Sequence, residues 1–236
     1  MTTTLSAQNL RKSFEHRAVL RDISLQLESG TFTVIAGGNG AGKTTLMKLL
    51  AKLMKPDAGS ISIMGSDIWR DGDAVRRHVG FLSHSVYLYD DLNALENLRF
   101  TARLFGVPDA ENRIRDVLRR INLYHRQYDP LKTYSRGMQQ RLALARTILH
   151  DPDILLLDEP FTGLDEAGVD VLYSLIEEYK HAGKSAILVT HNLQRGYDLA
   201  DELVILHRGQ AWFSAEKSDI SYPEYHRKYR AALEEE

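Results

Sequence analysis

No cysteine occurs among the 236 residues. That excludes a disulfide framework, a thiolate metal site and a cysteine nucleophile, and it agrees with a reducing compartment. Neither sign of charge is in excess: 30 Lys and Arg face 32 Asp and Glu, a formal charge of −2. The basic footprint of a nucleic-acid surface is therefore missing, and no nucleic-acid partner is expected. Long apolar runs are also wanting, since none approaches the roughly twenty residues that cross a bilayer. The stretch Met1-Thr2-Thr3-Thr4-Leu5 has neither the basic segment nor the apolar stretch of a signal peptide. The expectation is a soluble chain whose part at any membrane comes through partners. Internal repeats and low-complexity segments are absent too. Apolar residues make up 43%, enough for one sizeable α/β domain or a core with a small insert.

What is present centres on Val34-Ile35-Ala36-Gly37-Gly38-Asn39-Gly40-Ala41-Gly42-Lys43-Thr44-Thr45. An apolar strand runs into a glycine-rich turn, and Leu46, Leu49, Leu50 and Leu53 then recur at helical spacing. Gly37 to Thr44 fits the Walker A pattern, in which successive backbone N–H groups and a helix N-terminus curl around phosphates. Lys43 is expected to reach the β- and γ-phosphates and the Thr44 hydroxyl to ligate Mg²⁺. The stretch reads as a nucleoside triphosphate site, with a flexible glycine loop that merely precedes a helix as the competing reading.

Ahead of it, Leu5 to Leu10 and Ala18 to Leu27 read as strands, with Phe14 between them placed to stack on an adenine ring or to join the core. Lys55-Pro56-Asp57-Ala58-Gly59 reads as a turn and Ser60 to Met64 as a strand. Val79 to His84 is a short strand running out into Ser85 to Asp91. Beyond it Leu95, Leu98, Ala102 and Phe105 share one helical face ending at Gly106, and Ile114, Val117, Leu118 and Ile121 share another after Pro108-Asp109. Helices inserted between strands of a nucleotide-binding core suggest a small helical subdomain.

Ser135 can cap a helix running to about His150; it is either a cap alone or part of a second anion site at that helix end. Ile154 to Asp158 is apolar until its last residue, as suits a central parallel strand, and function gathers at the carboxyl ends of such strands. Asp158 would hold Mg²⁺ through its hydration shell and Glu159 would polarise the attacking water. Acids that merely solvate a strand end are the competing reading. Ser185 to Thr190 forms another strand and delivers His191 to the γ-phosphate side. Glu202 to His207 and Gln210 to Ser214 read as a hairpin about Arg208-Gly209; the tail from Ser218 reads as a short helix without an assigned activity.

Taken together these pieces resemble the nucleotide-binding subunit of an ABC transporter, over nearly the whole chain. Phe14 falls at the adenine-stacking position, Gly37 to Thr44 at Walker A with Thr45 adjoining it in the nucleotide site, Leu82-Ser83-His84 at the Q-loop and Ser135 to Gln139 at the signature. Ile154 to Asp158 matches Walker B followed by the catalytic Glu159, Gly163-Leu164-Asp165 the D-loop, and His191 the H-loop. Two departures stand out. His84 replaces the usual glutamine, and an imidazole suits softer metals than Mg²⁺, so His84 would act on the metal through a water or sense the partner instead. The signature reads Tyr-Ser-Arg-Gly-Met, with Arg136 and Met138 off the family pattern while Ser135 and Gly137 keep the phosphate-contacting places. This altered signature is similar to that of ABC-2-type exporters. Leu82-Ser83-His84 with Leu92 to Phe100 looks like the ATP-binding subunit of the haem exporter of cytochrome c maturation.

The resemblance implies an α/β fold: a P-loop NTPase core with a mostly parallel sheet, an N-terminal antiparallel β subdomain and an inserted α-helical subdomain. It places the core with its β subdomain at about 1–84 and 151–215, the helical subdomain at about 85–150 and a tail at 216–236. It implies ATP and Mg²⁺ as ligands, and hydrolysis through Lys43, Glu159 and His191. It also implies a homodimer with ATP at the interface, between one Walker A and the other signature. Integral membrane transporter subunits would dock near Tyr87 to Leu92, at the cytoplasmic face of the cell membrane. A soluble non-transport ABC ATPase and a low-turnover, nucleotide-dependent regulatory module are the alternatives.

Overall fold

The structure, a computed structural model, describes residues 2–15, 17–83 and 85–234. The chain opens with strands β1 (Thr3–Phe14) and β2 (Arg17–Glu28), then β3 (Phe32–Gly37) and helix α1 (Lys43–Leu50). Strands β4 (Ala58–Ile63) and β5 (Ser66–Asp67), helix α2 (Gly72–Arg76) and strand β6 (Val79–Leu82) follow. Helices α3 (Ala94–Phe105), α4 (Ala110–Arg120) and α5 (Arg136–Ile148) are inserted before β7 (Ile154–Asp158). The remainder alternates α6 (Glu166–His181), β8 (Ser185–Val189), α7 (Leu193–Leu199), β9 (Glu202–His207), β10 (Gln210–Glu216) and α8 (Tyr222–Glu234).

Two sheets result, one antiparallel in the order β2-β1-β4-β5 and one of six strands in the order β10-β9-β3-β8-β7-β6. In the second, β6, β7, β8, β3 and β9 are parallel and only β10 turns back. The fold is the expected α/β one, with its antiparallel N-terminal sheet and helical insert. Strands β3, β7 and β8 are buried along their whole length, which is why they read as near-continuous apolar runs and not as alternating ones. The period of two still sorts their side chains. Ile154, Leu156, Ile187 and Val189 face a core shared with α1 and the antiparallel sheet, while Leu155, Leu157, Ala186 and Leu188 face the helices.

The helical insert closes as its periodicity predicts. Leu98, Ile114, Leu118 and Ile121 are fully buried. Asn93 and Glu96 form a reciprocal capping box at the start of α3, and Gly106, at φ 62°, ends it. The turn read at 55–59 is shorter than expected, because Ala58 and Gly59 already belong to β4. Gly59 lies so close to β1 that a Cβ would sit 2.4 Å from the Gln8 carbonyl oxygen, so its glycine serves a close strand approach at a register shift in the β1–β4 pairing.

One half-buried histidine sets a pH limit on this packing. The His150 ring stacks on Phe105 at 3.9 Å between centroids, and its Nε2 donates to the Val79 carbonyl at 3.1 Å. Burial pushes its pKa down from 6.5 to about 4. Between those values the unfolded chain binds the proton and the folded chain does not, so stability is full above about pH 6.5 and falls as pH drops toward 4. The loss amounts to at most about 3 kcal/mol. Urea unfolding at stepped pH should show this fall, and His150→Phe should flatten it.

Candidate functional site

The sheet order sets β3, β8 and β7 side by side, so the residues that leave their carboxyl ends share one edge. Gly37 ends β3 where a Cβ would meet the Leu206 carbonyl oxygen at 2.3 Å, and Gly42, at φ 104°, caps α1 in a conformation that favours glycine. The loop between them is held by Ala41 N–H donating to the Gly38 carbonyl at 3.2 Å and Gly209 N–H donating to the Ala41 carbonyl at 3.1 Å. It borders a cavity of about 850 Å³. Gly38 to Thr45 line this cavity together with Arg17, Arg21 and Arg208, and no carboxylate lines it among the described residues. Backbone N–H groups, a helix N-terminus and cations suit it to an anion.

Lys43 donates to the carbonyl oxygens of Gly37 at 2.7 Å and Gly38 at 2.9 Å. Burial holds its pKa below the ordinary lysine value, while Glu159 and then Asp158 pull it back up. The two acids are therefore close enough to act on the lysine. Asp158 is 2% exposed at the end of β7. Glu159 follows in a left-handed conformation, φ 54°, with its N–H bonded to Val189 of the neighbouring strand at 2.9 Å. That conformation costs a non-glycine residue roughly 1–2 kcal/mol and turns the side chain toward β8. There its Oε2 accepts from His191 Nδ1 at 2.7 Å. Glu159 is largely covered and His191 is open to solvent.

The chemistry of the donors fits Mg²⁺. The Thr44 hydroxyl and the Asp158 carboxylate are hard oxygen ligands, and Mg²⁺ characteristically takes one or two protein oxygens plus phosphates and waters. No group of three His, Cys, Asp or Glu that could hold a metal occurs among the described residues.

Other expected site residues lie apart. Phe14, 44% exposed, ends β1 opposite Arg17 and beside Lys12; Arg17 lines the cavity and Phe14 does not. Ser135 caps α5 by accepting from Met138 N–H at 3.2 Å, but neither it nor Gly137 lines the cavity of its own chain. Gly137 packs instead on Asp165, 3.0 Å from where its Cβ would be, and Asp165 accepts from Arg141 at 3.2 Å. The His84 expectation falls outside the described residues. The sequence reading missed Leu233. It comes from the tail helix α8, which is pinned by the fully buried Tyr225, and it lines the phosphate-loop cavity beside Gly38. The signal was the Tyr222, Tyr225, Tyr229, Ala232 spacing, which marks one packed helical face.

With this geometry in view, comparison with known proteins gives a consistent result. The profile of the family described as ABC transporter matches residues 20–162. The chain is 34% identical to the ABC transporter ATP-binding protein NatA of Bacillus subtilis, over 81% of this chain and 79% of that one. It is also 34% identical to the lantibiotic transport ATP-binding protein SrtF of Streptococcus pyogenes, over 87% and 88%. Among solved structures, an ATP-binding subunit of an ABC transporter superposes with a TM-score of 0.91 at 29% identity, covering 98% of this chain and 100% of that chain. A dimeric ATP-binding cassette in a post-hydrolysis state, bound to ADP and Pi, superposes with a TM-score of 0.81 at 25% identity, covering 90% and 98%.

Proposed function

The chain belongs to the ABC transporter family, and from that premise we propose that it is the ATP-hydrolysing subunit of a membrane exporter. It would work as a pair of copies with ATP between them. The observation that carries this reading is the convergence of Lys43, Asp158, Glu159 and His191 at the ends of β3, β7 and β8. Lys43 would leave the Gly37 and Gly38 carbonyls for the β- and γ-phosphates. Thr44 and Asp158 would hold Mg²⁺, which supplies charge neutralisation to the phosphates. Glu159 would take the proton of the attacking water, and His191, donating through Nδ1, would fix the carboxylate. Phe14 would flank the adenine. Ser135 and Gly137, turned away from their own cavity, would serve the nucleotide of the other copy, in keeping with the dimeric relative bound to ADP and Pi.

The membrane partner has a surface to meet. A groove of about 440 Å³ lies between α1 and α3, flanked by the exposed side chains Leu53, Tyr87, Tyr89, Phe100 and Leu104. No helix among the described residues is long and apolar enough to cross a membrane, so the chain would sit at the cytoplasmic face through this groove. We take haem as the first cargo to examine, on the resemblance of Leu82 to His84 and Leu92 to Phe100. A tagged chain drawn from gently solubilised membranes should bring down integral membrane subunits, and Tyr89→Asp with Leu104→Asp should release them while ATP binding persists. Haem absorbance in the recovered complex supports the haem cargo, and an unrelated permease without haem removes it. Full recovery with the double variant would remove the groove.

A further inference from the structure

The tail helix α8 ends at the phosphate loop. Its start is anchored: the Ser221 N–H and hydroxyl donate to the Glu224 carboxylate at 3.0 and 2.6 Å, and the Tyr197 hydroxyl donates to the Ile220 carbonyl at 2.8 Å. Tyr225 and Ala232 are buried, and the helix packs against β3, β9 and α7. This packing carries its last turns to the carboxyl end of β3. There Leu233 lines the phosphate-loop cavity, with Cδ2 2.8 Å from where a Cβ on Gly38 would lie. Tyr229 stands one turn earlier on the same helical face. Burial raises its pKa above the ordinary tyrosine value, and Glu159 is close enough to raise it further. The end of α8 thus reaches both Gly38 and the neighbourhood of Glu159.

Nothing in Leu233 suits a phosphate. Its side chain offers no hydrogen bond, and an anion pressed against it loses water without compensation. The residues after it are acidic, Glu234, Glu235 and Glu236. The last turn of α8 holds no basic residue, and a helix C-terminus repels negative charge. Arg230 approaches Glu234 only to 3.7 Å, an exposed pair of small worth. The cavity that Leu233 enters has the opposite character. Lys43, Arg17, Arg21 and Arg208 line it without a carboxylate among the described residues, and none of the three arginines makes an ion pair among them. Acidic charge therefore follows directly on a side chain seated in a cationic cavity.

We infer that the end of α8 is an autoinhibitory segment: Leu233 and the acidic charge that follows it compete with the phosphates of the nucleotide for this cavity. ATP binds by displacing them. The inference rests on the ATP site proposed above and adds a control on its occupancy.

The test compares ATP affinity, by calorimetric titration, in three chains: the parent, one shortened to end at Ala232, and a full-length chain carrying Glu234→Gln, Glu235→Gln and Glu236→Gln. The shortened chain keeps Tyr225 and Ala232, the buried anchors of α8. Both variants should bind ATP about threefold more tightly than the parent, or better, at low salt, and the gain of the glutamine chain should shrink as salt is added. Parent-like or weaker affinity in both overturns the inference and leaves the ATP site standing. Urea unfolding checks the fold of the shortened chain. If shortening has loosened it, the glutamine chain decides alone: tighter binding supports the inference and parent-like affinity overturns it. If no chain binds ATP, or Lys43→Ala binds it as the parent does, the site reading falls and the inference with it.

Discussion

Glu159→Gln is expected to slow ATP turnover by about 10²- to 10⁴-fold, the usual contribution of a positioned base, while ATP binding survives. The amide has the size and shape of the carboxylate, so the turn after β7 and its unusual φ of 54° are undisturbed. Its oxygen can still accept from His191 Nδ1, now 2.7 Å away. What it cannot do is take a proton from water. Phosphate release under steady-state conditions reads the loss, and nucleotide binding to the same preparation shows that the site is otherwise intact. Unchanged turnover would take Glu159 out of the reaction and leave the strained backbone at this position without a function.

Lys43→Ala should act on a different quantity. Among the described residues Lys43 donates to the Gly37 and Gly38 carbonyls alone, so its removal should cost the fold little. With ATP bound, the same ammonium would face two phosphates in a partly desolvated loop. Loss of such a charge-assisted contact costs about 2–4 kcal/mol, or roughly 30- to 1,000-fold in affinity. Burial lowers the lysine pKa, and phosphate contact raises it again, so ATP binding should also secure the protonated form. Calorimetric titration with ATP, alongside urea unfolding of both proteins, separates the two quantities. A variant that binds ATP like the parent would remove Lys43 from the phosphate site.

These expectations draw on parts of the molecule that differed in how far the sequence revealed them. Strand β7 was plain because four aliphatic residues and two acids occur together, and it ends at Asp158 as read. The β9–β10 hairpin was equally plain, since Arg208 and Gly209, both at positive φ, form its two-residue turn. Ser135 as a cap was readable from residue type and position alone. Features that depend on long-range approach were not. Nothing local marks Gly59 as lying against Gln8, and nothing local sends β9 to pair with β3. The tyrosine spacing of the tail marks a packed helical face, but it packs on β3 as well as on the nearby α7 and β9, and nothing local sends Leu233 to Gly38, some two hundred residues earlier. The arginines of the cavity were hidden for the same reason: Arg17 and Arg208 are far apart in the chain and meet only through the fold.

The central claim is that two copies close around ATP, each completing the other's site. It is tested most directly by the sedimentation mass of the Glu159→Gln chain with and without ATP and Mg²⁺. The claim predicts a doubling of mass with ATP that ADP does not produce and that an added Lys43→Ala change abolishes. A mass that stays monomeric at saturating ATP, with binding verified in the same sample, would contradict it.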